Sequence, residues 1–356
     1  MVYDVIIIGG WASGLFASLF LPKSMKILIL EKNAACGSKL LLSGGERCNV
    51  TNMNIDLVHD YVGQNLKSLP SIFHAFGNQD MIDFLHEHGI ETVVEDNGRV
   101  ILKSWKAKQL LDLLMRLSLE HGVQIENGIV VNNVNNVNDV NNEEALFKII
   151  TDQLEFSCKK LIIATGGKSY PQVGATGFAY ELAKQFGIDC MPAYPCLCGL
   201  ETVQDMSGVT WNSALVQMQV WKDKKCLYDQ KWSILFTHWG ISGPVVFNST
   251  LKLWADSWFK IKIIFDVKNL NKKLIDFFHL DVKNNFVELD MKWLRPWEEA
   301  KVSGWGVLLS ELKPDFESKK VSGLYFVGEA CDVVGKTWGY NLQWAWSSGY
   351  VCAKKI

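Results

Sequence analysis

Two hydrophobic periods alternate along this chain, and the switches between them outline its organisation. Near the start, Val5-Ile6-Ile7-Ile8 is an unbroken apolar run that stops at Gly9-Gly10, and a helix-compatible stretch follows over 13–21. A second run, Ile27-Leu28-Ile29-Leu30, ends on Glu31. Short continuous runs of this kind predict strands covered on both faces, as in a parallel sheet. The segment 35–54 is small and polar and reads as a loop. Apolar residues then recur at helical spacing over 79–88 (Met81, Ile82, Leu85) and 106–120 (Leu110, Leu111, Leu114, Leu117), predicting two helices. Alternation over 123–137, 147–151 and 154–158 predicts strands, with the Asn-rich 132–142 as a solvated hairpin tip. Leu161-Ile162-Ile163 runs into Ala164-Thr165-Gly166-Gly167, a buried strand entering a glycine turn, and a helix is expected over 178–186.

From about 192 to 300 the pattern changes to β alternation, at 215–221, 232–237, 259–267 and 286–289. The buried-strand pattern returns at 321–328, again ending on a glycine, and a last helix is expected over 341–354. The prediction is an α/β protein with a Rossmann-like sheet built from two separated segments, 1–191 and 301–356, around an inserted β-rich domain, 192–300.

A chain of 356 residues can bury a core of this kind in two domains. The net charge of −2, from 36 basic and 38 acidic residues, provides no basic field for nucleic acid or an anionic membrane. Nine cysteines without a CxxC fit buried thiols in a reducing compartment; Cys196 and Cys198 read as strand-end residues, and no metal site is expected. The apolar first 21 residues lack a basic leader and carry Asp4 and the Gly9-Gly10 turn, and no run reaches the ~18–20 residues of a spanning helix. A soluble cytoplasmic protein is expected.

The candidate chemistry gathers at the glycine turns. Gly9 and Gly14 occupy the first and third places of a G-x-G-x-x-G fingerprint, and Glu31 follows at the spacing of a ribose-binding acid. The second place is Trp11, where an indole would project into the phosphate site or distort the turn. Ser43-Gly44-Gly45-Glu46-Arg47-Cys48-Asn49-Val50-Thr51-Asn52 combines small residues with donors suited to phosphate oxygens or a heteroaromatic edge. After Gly328 comes Glu329, a carboxylate suited to a sugar or ribityl hydroxyl, and then a glycine turn that opens a helix toward the reduced edge of a flavin. In Thr237-His238-Trp239-Gly240-Ile241-Ser242-Gly243-Pro244, His238 is a candidate for proton transfer or for a structural role, and Pro244 opens a helix capped by Ser242 or Gly243.

At these residues the chain resembles the BaiN-like, or aminoacetone-oxidase-like, FAD-binding flavoproteins over nearly its whole length. The resemblance implies a FAD-binding domain of the glutathione-reductase type with a β-rich insertion whose helical part is shortened. It implies that the pyrophosphate sits on Gly9, Gly10, Ala12, Ser13 and Gly14, with Glu31 and Lys32 at the adenosine ribose and the adenine near Val131, above Val134. By the same resemblance Lys39, Ser43, Gly44, Arg47, Cys48, Asn49 and Thr51 lie toward the flavin, and Thr165, Gly166 and Gly167 form the second turn. Gly328, Glu329 and Asp332 would serve the ribityl–phosphate side, and Gly339, Tyr340, Asn341, Leu342 and Gln343 the pyrimidine edge. The implied activity is non-covalent FAD chemistry on a small organic molecule by hydride transfer through flavin N5, with NAD(P)H or the substrate itself as donor. Reduction of a C=C bond and oxidation of an amine are both open, and Arg47, Asn49 and His238 are the catalytic candidates. A flavin-dependent RNA-modifying enzyme and a cofactor-free relative are the alternatives.

The family pattern has glycine where this chain has Trp11, Trp305 and Trp338, and glycine is common at Glu46. The 14 tryptophans outnumber the 9 tyrosines. These tryptophans are expected to be UGA codons that the source reads as glycine; if they are genuine, FAD binding should be severely weakened.

Overall fold

The computed structural model describes residues 1–95, 97–137, 146–253 and 259–356. Its contacts divide the chain into two units, Met1–Ala193 with Trp305–Ile356, and Tyr194–Gly304.

The first unit is built on a seven-stranded sheet. Val2–Ile8 pairs in parallel with Ile27–Glu31 on one side and Glu155–Ile163 on the other, and Leu324–Phe326 pairs in parallel with Glu155–Ile163. Gln124–Asn127 extends the parallel edge beside Ile27–Glu31, while Phe147–Thr151 and Val131–Asn136 add an antiparallel edge. The expected apolar runs form the centre: Val5, Ile6, Ile7, Leu28, Ile29, Leu161, Ile162 and Ile163 have almost no exposed surface. Helices on both faces of such a sheet explain why these strands read as continuous apolar segments. Ala107–Glu120 buries Leu110, Leu111 and Leu114 of its expected stripe and leaves Leu117 half-buried, and Asn78–Glu87 buries Met81, Ile82 and Leu85. The last helix, Tyr340–Lys355, packs on Ala12–Ser18, where a Cβ on Gly349 would stand 2.8 Å from the Ser13 carbonyl oxygen.

Several boundaries differ from the sequence pattern for local reasons. The loop expected over 35–54 contains a short helix, Ser38–Leu41, and a strand, Asn49–Asn52, that pairs with Arg99–Leu102. A polar strand of four residues carries no hydrophobic alternation to detect. The strand expected over 321–328 is only Leu324–Phe326, because Gly323 and Gly328 adopt left-handed φ of 76° and 66° and end it on both sides. Asn132 to Asn136 belong to the Val131–Asn136 strand rather than a hairpin tip; the rest of that expected tip, from 138, lies outside the described residues.

The second unit is a closed barrel of antiparallel strands in the order Leu200–Thr202, Gly240–Ser242, Lys225–Thr237, Ser213–Lys222, Lys260–Phe265 and Phe286–Leu294, the last pairing back with the first. Alternate residues such as Val216, Met218, Val220, Ile261, Ile263 and Phe265 fill its interior. Closure removes exposed strand edges. The remaining helices here are short, Pro244–Ser249 with Gly243 as its cap, and Lys272–Phe278.

Candidate dinucleotide and flavin site

The register of the parallel strands puts several chain reversals at one end of the sheet. Ile8 pairs with Leu30 and with Ile163, and Ile163 with Phe326, so the turns after these strands emerge side by side. Carboxyl ends of parallel strands are where open α/β sheets bind ligands. Gly9 has φ of 107°, and a Cβ there would lie 2.5 Å from the Ala164 carbonyl oxygen. Gly14 has no room either: its Cβ would stand 2.1 Å from the Gly9 oxygen. The first and third fingerprint glycines therefore let the opening turn, its helix and the Ala164-Thr165-Gly166 turn close on one another. Gly328 joins the group, its backbone N–H donating to Ser348 Oγ at 3.0 Å and its oxygen accepting from Trp344 Nε1 at 2.9 Å.

Glu31 is buried at the end of its strand, and each carboxylate oxygen accepts a backbone N–H, from Gly10 at 2.8 Å and Asn33 at 2.9 Å. Burial raises its pKa while these bonds pull it back. A cavity of about 130 Å³ opens beside it, lined by Gly9, Trp11, Glu31, Lys32, Val131 and Thr165, with Gly174 and Phe178 on its wall. Val134 is fully buried in the strand that begins at Val131.

Three distant segments meet at Glu329. Lys39 Nζ lies 2.5 Å from Glu329 Oε2 and 2.5 Å from Ser169 Oγ, and Ser169 donates to Glu329 Oε1 at 2.8 Å. Ser169, which carries no motif of its own, was missed from the sequence; its place just after the Gly166-Gly167 turn was the one available signal. Asp332 is fully buried, accepts the Gln64 backbone N–H at 2.7 Å through Oδ2, and has its pKa pushed up to about 6 by desolvation.

The loop before Asn49 is wound in left-handed conformations at Gly44, Gly45, Glu46 and Cys48, with φ between 60° and 72°. Arg47 reaches the Gly44 oxygen at 3.3 Å and lies over the Trp105 ring at 5.3 Å. Ser43 Oγ donates to the Leu40 oxygen at 2.7 Å. Cys48 is buried, with its thiol pKa raised to about 12, so it is no nucleophile near neutrality.

The residues expected at the pyrimidine edge divide into backbone and side-chain roles. Gly339 has φ of 101°, and a Cβ on it would come within 2.2 Å of the Thr51 oxygen, so the helix start abuts the Asn49–Asn52 strand. The Asn341 side chain is engaged by the backbone of Gly335 and Lys336. Gln343 is buried and bonded to Thr51 at 2.6 Å and Ser347 at 3.0 Å. Tyr340 OH donates to the Asn54 oxygen at 3.3 Å, and Leu342 is half-buried. These side chains hold the turn in shape.

His238 belongs to the other unit. It is exposed on the reversal between Lys225–Thr237 and Gly240–Ser242, which Thr237 Oγ1 closes by donating to the Gly240 oxygen at 3.1 Å. Cys196 ends the strand Tyr194–Cys196 and Cys198 follows it, both buried, the latter with its pKa raised to about 12. No cluster of metal-ligating side chains occurs among the described residues, and no described helix is long and apolar enough to cross a membrane.

Does this arrangement fit FAD? Among the described residues, three buried side-chain atoms have no hydrogen-bond partner: Asn49 Oδ1, Thr165 Oγ1 and Asp332 Oδ1. Buried polar atoms are almost always paired, and each orphan costs about 1–3 kcal/mol. All three sit on the segments expected to hold a long polar cofactor. Trp11 does not fit. Its ring, 8% exposed, lies within 3.4 Å of where a Cβ on Gly166 would be and lines the same cavity as Gly9 and Thr165. It takes up the space between the two glycine turns that a diphosphate would need.

Comparison with known proteins accounts for the frame. The profile described as "HI0933-like protein Rossmann domain" matches residues 3–355. The chain belongs to this family of FAD-dependent oxidoreductases. It is 30% identical to the ribosomal RNA dihydrouridine synthase of Haemophilus influenzae, over 99% of this chain and 98% of that protein. It is 26% identical to the 3-dehydro-bile acid delta(4,6)-reductase of Clostridium scindens, over 98% and 97% respectively. Among solved structures, the 3-ketosteroid-delta4-(5alpha)-dehydrogenase of Rhodococcus jostii RHA1 superposes with a TM-score of 0.57 at 12% identity, covering 99% of this chain and 96% of that one.

Proposed function

We propose that the protein is an FAD-dependent reductase of carbon–carbon double bonds conjugated to a carbonyl, drawing electrons from NAD(P)H. The observation that carries the cofactor is the trio of unpartnered buried atoms, Asn49 Oδ1, Thr165 Oγ1 and Asp332 Oδ1, on turns that meet a dinucleotide fold. The observation that carries the reaction is the agreement between two relatives: dihydrouridine and a delta(4,6)-reduced bile acid are both named for hydrogen added across a conjugated C=C. FAD supplies reversible hydride exchange when bound.

The chain's own residues supply position and polarity. Glu31 and the Val131 backbone frame the adenosine end, and the Lys39–Ser169–Glu329 cluster fixes the turn after Phe326. Arg47 and Asn49 present donors from a loop locked by its own left-handed residues. We assign substrate recognition to the barrel unit, where His238 is available for proton transfer. A small organic substrate is favoured by the net charge of −2, and the rRNA uridine reading is favoured by the full-length 30% identity.

One assay separates them. The protein, with Trp11 replaced by glycine and loaded with FAD, is mixed anaerobically with NADPH and either a conjugated steroid ketone or rRNA. Visible flavin absorbance should bleach with NADPH and recover with the true acceptor, and mass spectrometry should find a product two hydrogens heavier. Bleaching that neither acceptor reverses would refute the proposed reaction, and no FAD uptake would refute the cofactor.

A further inference from the structure

Two populations stand out among the 14 tryptophans of this chain. Trp344 and Trp346 lie on the Tyr340–Lys355 helix, are almost fully buried, and donate Nε1–H to Gly328 and Val50 oxygens, each at 2.9 Å. A filled cavity and a partner for the indole N–H are what a core tryptophan requires.

The second population has glycine backbones. Trp105, Trp211, Trp305 and Trp338 have φ of 57°, 66°, 65° and 75°. A bulky residue in this region is a genuine outlier, because its Cβ crowds the neighbouring carbonyl, whereas glycine enters it freely. Burial offers little compensation at Trp105 and Trp211, which are 57% and 77% exposed, although Arg47 lies over the Trp105 ring at 5.3 Å. Trp305 and Trp338 each precede a glycine that tolerates no side chain, Gly306 against the Ala330 oxygen at 2.7 Å and Gly339 against that of Thr51 at 2.2 Å. Trp11 has an ordinary φ of −105° but stands at the second fingerprint glycine, with its ring pressed toward Gly166.

Five separate changes from the smallest side chain to the largest have no shared physical cause. A shared codon gives one. Tryptophan is UGG, UGA differs from it by one base, and translating UGA as tryptophan in a source that reads it as glycine makes this replacement at every such site. We infer that the natural polypeptide carries glycine, encoded by UGA, at positions 11, 105, 211, 305 and 338, while Trp344 and Trp346 are encoded by UGG. With glycine at 11, main-chain amides can approach the diphosphate of a dinucleotide; this consequence rests on the FAD reading, the residue assignment does not.

The test has two arms. Codons are read from the gene and peptide masses from the protein isolated from its source; UGA with glycine masses at the five positions is expected, and UGG or tryptophan masses there overturn the inference. Separately, the chain as written and the Trp11→Gly/Trp105→Gly/Trp211→Gly/Trp305→Gly/Trp338→Gly chain are titrated with FAD and melted. The substituted chain should melt higher and bind FAD at least about tenfold tighter. A lower melting temperature counts against glycine at these sites. Glycine masses together with no FAD binding would uphold the assignment and sink the cofactor reading.

Discussion

Asp332 gives a prediction that can be worked through in numbers. Its carboxyl is fully buried, only Oδ2 is hydrogen-bonded, and desolvation lifts its pKa from 3.8 to about 6. The folded state therefore holds a proton that the unfolded state releases earlier. Such a group favours folding below pH 3.8, and that contribution disappears as pH rises through 6. At about 1.36 kcal/mol per pKa unit, the cofactor-free protein should lose about 3 kcal/mol between pH 3 and pH 7 from this carboxyl alone. Replacing Asp332 with Asn keeps an acceptor for the Gln64 N–H and removes the titration. For 356 residues at about 2.1 cal/mol/K each, 3 kcal/mol corresponds to about 4 °C in melting temperature. Melting curves of both proteins, taken without FAD from pH 3 to 8, should diverge by that amount, with wild type falling relative to Asp332→Asn as pH rises. All other titrations cancel in the difference. Parallel curves would show that Asp332 is ionised at little cost in the folded protein, and the argument from its burial would fail.

Other consequences follow from contacts of the same frame. Gly349→Ala places a methyl 2.8 Å from the Ser13 oxygen at a helix crossing and should destabilise by about 1–3 kcal/mol in denaturant unfolding. Trp346→Phe leaves the Val50 oxygen without its donor and should cost about 1–3 kcal/mol, read from the same curves. In the Lys39–Glu329 pair, Lys39→Met should destabilise more than Lys39→Met combined with Glu329→Gln, since the single change removes the Lys39 charge from a largely buried carboxylate; a double-mutant cycle measures the coupling. Alkylation of the native protein at pH 8 should modify Cys226, which is half-buried, well before Cys48, Cys158 or Cys331, whose thiols are buried and shifted to high pKa; peptide mapping would reveal the order.

The sequence by itself determined the central sheet and the end of it at which the glycine turns lie. Runs such as Val5–Ile8 and Leu161–Ile163 could be satisfied only by burial on both faces, and the glycines at 9 and 14 marked where the chain had to turn within contact of another backbone. Those are local facts, written in residue type and period. The tertiary structure decided which polar side chains are already occupied by the protein itself. Asn341 and Gln343, donors in a glycine-flanked motif, are occupied by Gly335 and by Thr51 and Ser347, whereas Thr165 and Asp332 keep an oxygen free. Hydrogen bonds between residues far apart in the chain settle that choice, and no periodicity encodes them. The same holds for Ser169, drawn to Lys39 and Glu329 from separate segments, and for the short strands that close the barrel. Backbone handedness is a further quantity that letters do not carry: the fingerprint exposed Trp11, but only the left-handed φ at Trp105 and Trp211 showed that these residues stand on glycine geometry.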